Sequence, residues 1–174
     1  MTDFSDPAVR RVRSLDDDAI RALAGVLIDC VADGASVGFM HPLGPAAAEA
    51  FWRQIAADLD AGRRAVLVGE DGGGLVGTVQ LVLDQPENQP HRADLAKMLV
   101  HPRARRRGLG AALLAAAEEV ARACGKSLLV LDTASNEADR LYRRGGWVPV
   151  GRIPDYALLP AGGLCDTTVF YKRL

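Results

Sequence analysis

The sequence predicts a single-domain α/β protein: a mixed, mostly antiparallel central sheet with helices on both faces. Three observations carry that expectation. At 174 residues the chain has the length of one domain with a sizeable core. Strand-like apolar runs and segments with apolar residues at helical spacing follow one another in the order βααβββαβαββ. No repeat, low-complexity tract or linker divides the chain, so residues 1–174 are expected to form one unit, with the polar stretch Met1–Pro7 a flexible lead.

Composition narrows the function class. The apolar fraction of 49% and charged fraction of 25% are ordinary for a soluble globular protein. A net charge of −1 argues against a nucleic-acid partner, and the basic run Arg103–Arg107 is an island that suits a small polyanionic ligand better than a duplex. Cys30, Cys124 and Cys165 lack CxxC or metal-ligand spacing, which suggests reduced, buried structural thiols, no metal site and a cytoplasmic location. No run reaches the roughly 18 apolar residues of a membrane span, and Met1–Pro7 holds no signal-peptide core, so no membrane partner is expected.

Taken in order, Ala8–Arg13 reads as a short edge strand with apolar points at Val9 and Val12. Ser14 with Asp17 forms a plausible helix cap, and Ile20, Leu23, Leu27, Ile28 and Val31 make one apolar helical face that Gly34 ends. The glycine-rich segment Gly34–Gly44 is read as a loop. Pro45 opens a second helix with Trp52, Ile55 and Leu59 inward, closed at Gly62. Ala65–Val68 and Leu75–Leu83 flank the turn Asp71-Gly72-Gly73-Gly74 as a hairpin. A polar loop, Gln85–Pro90, leads to a strand over Arg92–Val100.

A basic turn with Gly108 and Gly110 follows, then a helix to about Cys124 on the stripe Leu109, Leu113, Ala116, Val120 and Ala123. Glu118 is expected to form an exposed pair with Arg122, and Gly125 to cap the end. Ser127–Leu131, ending in Asp132, reads as a buried central strand, and Ala134–Arg144 as a helix stopped by Gly145-Gly146. Trp147–Ile153 and Thr167–Lys172 are late strands joined by a loop through Pro154-Asp155-Tyr156.

The free N–H groups of a helix starting near Gly108, its dipole and the adjacent arginines make a ready anion site. The turn lacks the Lys-Ser/Thr pair of a P-loop, and Leu113 stands where a dinucleotide fingerprint needs Gly or Ala. What remains, Arg105-x-x-Gly108-x-Gly110, resembles the pyrophosphate-binding signature of the GNAT superfamily of acetyl-CoA-dependent N-acetyltransferases. Tyr142-Arg143-Arg144-Gly145-Gly146-Trp147 is similar to that family's Tyr-x-x-x-Gly-aromatic block. Gly34–Met40, Arg92–Gly110, Leu131-Asp132-Thr133, Pro154-Asp155-Tyr156 and Thr167–Lys172 further resemble the tabtoxin-resistance acetyltransferase branch.

The resemblance implies a GNAT fold whose fourth and fifth strands splay, and acetyl-CoA as cosubstrate. Pantetheine would pair with the backbone of Met98, Leu99 and Val100. The pyrophosphate would rest on the N–H groups of Arg106, Arg107, Gly108, Leu109, Gly110 and Ala111, with Arg105 and Arg107 adding charge-assisted bonds. The side chains of Arg103 and Arg106 read as solvated. Asn136, six residues before Tyr142 where the family often has seven, is a further cofactor candidate.

An amine of pKa near 10 must lose a proton before it attacks a thioester, and the leaving thiolate gains from a proton donor. Tyr142 matches the family's usual donor, against the plainer reading of a packed core tyrosine. For the base, Asp94, Asp132 and water stay open; Asp94 has the same strand parity as Met98 and Val100. Phe39, Met40, His41, Asp155 and Tyr156 are candidates for the acceptor's walls. The expected partner is a small-molecule amine, in a detoxifying role by resemblance, with the protein a monomer or homodimer. A peptide or protein amine, or a non-catalytic acyl-CoA sensor, are the alternatives.

Overall fold

In a computed structural model of the chain, residues 8–174 are described; the expected flexible lead lies outside them. Seven strands form one sheet in the order β1-β2-β3-β4-β5-β7-β6. They are β1 (Ala8–Val12), β2 (Arg64–Asp71), β3 (Gly74–Val82), β4 (Arg92–Val100), β5 (Leu128–Thr133), β6 (Val148–Leu158) and β7 (Leu164–Arg173). The helices are α1 (Asp17–Ala32), α2 (Pro45–Asp60), α3 (Leu109–Ala123) and α4 (Asn136–Arg144). All pairings are antiparallel except β4 with β5.

The sheet separates two cores. Leu67, Leu81, Leu113, Leu129, Tyr142 and Phe170 pack together beneath α3 and α4. Leu23, Leu27, Trp52, Val66, Val68 and Leu99 pack beneath α1 and α2 on the other side. The inner strands are covered on both faces, which is why β2 reads as an unbroken apolar run rather than an alternation.

Several local details differ from the sequence reading. Asp16, not Ser14, caps α1, its carboxylate accepting from Ala19 N at 2.8 Å. Ser135 caps α4, which starts at Asn136 rather than Ala134. Pro154-Asp155-Tyr156 lies inside β6, where an irregularity between Ile153 and Ala157 absorbs it. Pro154 is tolerated there because β6 is an edge strand and owes no N–H on its outer side.

Glu118 is not an exposed partner of Arg122, which pairs with Glu119. Its carboxylate is buried, accepting from Trp147 Nε1 at 3.0 Å and Lys172 Nζ at 2.6 Å, and so ties α3 to the corner after α4 and to β7. Of the cysteines only Cys30 is buried; Cys124 and Cys165 are partly exposed. Burial raises the Cys30 thiol to about 11 against the pull of Arg105, so it is a poor nucleophile. No described helix is long and apolar enough to cross a membrane.

Candidate active site

The parallel ladder between β4 and β5 covers only Arg92, Ala93 and Asp94 opposite Leu128, Leu129 and Val130. Beyond Asp94 the two strands part, and among the described residues β4 keeps β3 as its only sheet partner. A bulge helps. Gln80 faces Ala96 but Thr78 faces Leu99, so β4 carries one residue more than β3 across this interval, with Lys97 at φ +50. The extra residue reverses the strand's alternation. Asp94 therefore does not share a face with Met98 and Val100: it lies on the α1–α2 side, whereas Met98 and Val100 pack on the α3–α4 side.

At one end of the opening stands the basic turn. Gly108 adopts φ +80 as the α3 N-cap, a conformation costing a residue with a Cβ about 1–2 kcal/mol, and it offers no side chain to cap the helix. The first N–H groups of α3 are thus left for an outside acceptor. Position is fixed by Leu109, which sits in a notch over Gly69 and Gly77 of the sheet. A Cβ on Gly69 would lie 2.6 Å from Leu109 Cδ1. A Cβ on Gly110 would press Leu141 of α4 at 3.3 Å, so this glycine serves helix packing within the protein as well.

The arginines are braced rather than free. Arg105 donates through Nε to Val100 O at 3.1 Å and pairs with Asp33 at the end of α1. Arg103 and Arg107 meet the buried Asp71 carboxylate at 2.9 and 3.5 Å. Burial alone would raise the Asp71 pKa, but Gly73 N–H and these arginines hold it below its usual value. Arg106 is exposed, at φ +60. Braced this way, the turn presents its backbone as a fixed surface.

Asp132 stands on the β5 side of the opening, past the last rung of the ladder, and the Tyr142 phenol lies near enough to feel its charge. Asp132, exposed at the end of β5, accepts from Thr167 Oγ1 at 2.8 Å. Tyr142 packs against Trp147 and Phe170, and its hydroxyl makes no hydrogen bond among the described residues. Burial, reinforced by the Asp132 charge, pushes its pKa up, so the phenol holds its proton throughout the neutral range. A proton held in a buried phenol beside a carboxylate suits a donor to a leaving thiolate.

Other predicted residues are placed apart. Asp94 sits at the closed end of the opening, in an ion pair with Arg92 and accepting from Gln85 Nε2 at 3.1 Å. Asn136 lines a cleft of about 380 Å3 with Ser135, Arg152 and Asp166, between α4 and the β6–β7 hairpin. Phe39 stacks edge-on to Phe51 at 5.2 Å, while Met40 and His41 are exposed. Tyr156 is exposed on β6, and Asp155 N donates to Asp166 at 3.0 Å. Loop and hairpin meet: His41 N donates to Pro160 O at 2.9 Å and Ser36 Oγ to Leu158 O at 3.4 Å.

Sequence reasoning passed over Lys97. Its Nζ donates to Val37 O at 2.6 Å and lies 5.9 and 5.7 Å from the Phe39 and Phe51 ring centres. The signal was present: a lysine in the middle of an otherwise apolar stretch of strand, Leu95–Val100. Among the described residues, no group of three or more His, Cys, Asp or Glu could hold a metal ion.

Residues 27–147 match the model of the acetyltransferase (GNAT) family. An uncharacterized N-acetyltransferase from Azospirillum brasilense is 31% identical over 171 residues, spanning 95% of this chain and 100% of that one. Among solved structures, a phosphinothricin acetyltransferase from Sinorhizobium meliloti in complex with acetyl-CoA superposes with a TM-score of 0.81 at 17% identity, over 98% of this chain and 89% of that chain. A ribosomal-protein-alanine N-acetyltransferase from Brucella melitensis gives 0.77 at 24%, over 96% and 99%. At such identities the two structures establish the fold alone.

Proposed function

This chain belongs to the acetyltransferase (GNAT) family, and from that premise we propose that it moves the acetyl group of acetyl-CoA to the primary amine of a small molecule, by direct attack in a ternary complex. The observation that carries the reading is the opening between β4 and β5, with an uncapped helix N-terminus at one end and Asp132 on its β5 side, near enough for the Tyr142 phenol to feel its charge.

Acetyl-CoA fits that opening on the protein's own terms. Its pyrophosphate meets the N–H groups from Arg106 to Ala111, and its pantetheine runs along the edge of β4 at Met98 and Leu99. The Val100 carbonyl is already engaged by Arg105 and Cys30. The acceptor's ammonium gives a proton to Asp132 or to water, and the nitrogen lone pair attacks the thioester carbon. Collapse of the tetrahedral oxyanion breaks the C–S bond while the nitrogen, still cationic after attack, gives up its second proton to water; the departing thiolate takes the Tyr142 proton and the phenolate is reprotonated from water, leaving an N-acetyl amide and free CoA thiol. Asp132 suits the base better than Asp94, whose carboxylate is held by Arg92 and Gln85.

A small acceptor is favoured because the 34–44 loop and the β6–β7 hairpin are hydrogen-bonded to each other, which favours a closed pocket over an open groove. The resemblance of the sequence to the tabtoxin-resistance branch favours a detoxifying role. The test is a thiol-release assay with acetyl-CoA and a panel of amino acids, polyamines and aminoglycosides. Turnover with one amine class is expected. Acetyl-CoA binding without turnover on any small amine would shift the reading to a protein amine or a sensor, and no binding would overturn it.

A further inference from the structure

On the α1–α2 side of the opening, Lys97 is a cation without a counter-ion. Among the described residues it forms no ion pair; its one hydrogen bond goes to the neutral Val37 carbonyl. Burial pushes its pKa down, the nearby Arg64 pushes it further, and only the Asp132 carboxylate acts the other way. The positive φ of the bulge turns this ammonium toward Phe39 and Phe51 instead of into solvent.

A second observation points the same way. Trp52 Nε1, Arg64 Nε and Gln80 Nε2 are the buried side-chain polar atoms without a hydrogen-bond partner among the described residues. All three are donors, and all belong to the α1–α2 side. Gln80 pairs across the sheet with Ala96, next to Lys97, and accepts from Arg64 Nη1 at 2.9 Å. Trp52 adjoins Phe51, one of the two rings under the ammonium. A buried donor left unmet costs about 1–3 kcal/mol, so three unmet donors on one face, with no unmet buried side-chain acceptor among the described residues, favour an acceptor-only group. A carboxylate is such a group; an amine or a polyamine brings only donors and a repelled charge.

We infer that this face holds an anion-receiving end, Lys97 backed by the N–H groups of Gln80, Arg64 and Trp52, so that the acceptor is a zwitterion of amino-acid type whose amine meets Asp132 and whose carboxylate meets Lys97. The inference rests on the acetyltransferase reading and narrows its substrate class. Lys97 is then a specificity-determining residue that also holds the 34–44 loop.

The experiment compares kcat/KM for matched pairs: L-phenylalanine with phenethylamine, L-methionine with 3-(methylthio)propylamine, and L-lysine with cadaverine. The acid of the accepted pair is expected to win by about tenfold or more, the worth of a charge-assisted bond. Lys97→Met should collapse that ratio and Lys97→Arg should restore part of it. In the unaltered protein, 3-phenylpropionate should compete with the acceptor and not with acetyl-CoA. Equal loss on both members of a pair would make Lys97 a loop anchor only and overturn the inference. So would turnover confined to amines without a carboxylate, which leaves the acetyltransferase reading standing. No turnover with any amine would remove both.

Discussion

The two sides of the β4–β5 opening are built from different materials. Toward α3, the surface offered to a ligand is backbone: a left-handed glycine, the first N–H groups of a helix, and arginines whose side chains are spent on Asp33, Asp71 and Val100 O. Toward α1 and α2, it is side chains: Lys97, Asp132 and Phe39, with the buried Gln80 behind them. A backbone surface depends on conformation and tolerates many sequences, so it suits a ligand that never changes. A side-chain surface depends on identity and can be rewritten for each acceptor. The difference teaches where universality and specificity are stored.

Tyr142 lies at the seam between the sides, so its loss should spare neither. Tyr142→Phe is expected to lower kcat about 100-fold or more with every acceptor, the usual worth of a positioned proton donor, while acetyl-CoA KM changes little. Equal kcat in the two proteins would reduce Tyr142 to a core residue. Next comes the backbone side. Gly69→Ala places a methyl 2.6 Å from Leu109 Cδ1, so the buried Leu109 side chain at the start of α3 must shift. At a typical overpacking cost of about 1–3 kcal/mol, acetyl-CoA KM should rise roughly tenfold, by the same factor whichever amine is used. A factor that varied with the acceptor would break the division drawn above.

The smallest effect concerns pH. Burial raises the Tyr142 pKa above its unfolded value near 10, so the stability linked to the neutral phenol is complete below about pH 10. It is lost as pH climbs from there toward the folded pKa, because the unfolded chain ionises first. Melting temperatures between pH 9 and 11 should therefore fall more steeply for the unaltered protein than for Tyr142→Phe. Parallel curves would mean that the hydroxyl is solvated.

The same division explains what could be read from the sequence. The element order was legible because apolar periodicity reports burial locally, and the turn before α3 because Gly108 is a backbone requirement written as a residue type. The acceptor side was not. Asp94 was assigned by counting alternation along β4, and the bulge at Lys97 broke the count. Glu118 sat four residues from Arg122 as an exposed pair should, but Trp147 and Lys172 approach from elsewhere in the chain and claim it. β6 was cut short at Pro154, because nothing local says that a strand lies at an edge. Each miss is a long-range pairing that no window of sequence contains.

A strand keeps a two-beat rhythm, and the extra residue at Lys97 skips one beat. Before the skip, Ala93 and Leu95 serve the core beneath α3; after it, Leu99, on what should be the same beat, serves the core beneath α1. One strand thus passes its apolar allegiance from one half of the molecule to the other within its own length. Between Asp94 and Leu99 the number of residues therefore matters more than their kinds. Substitutions there retune a site, whereas a single insertion or deletion would rephase everything downstream and turn the inside of β4 out.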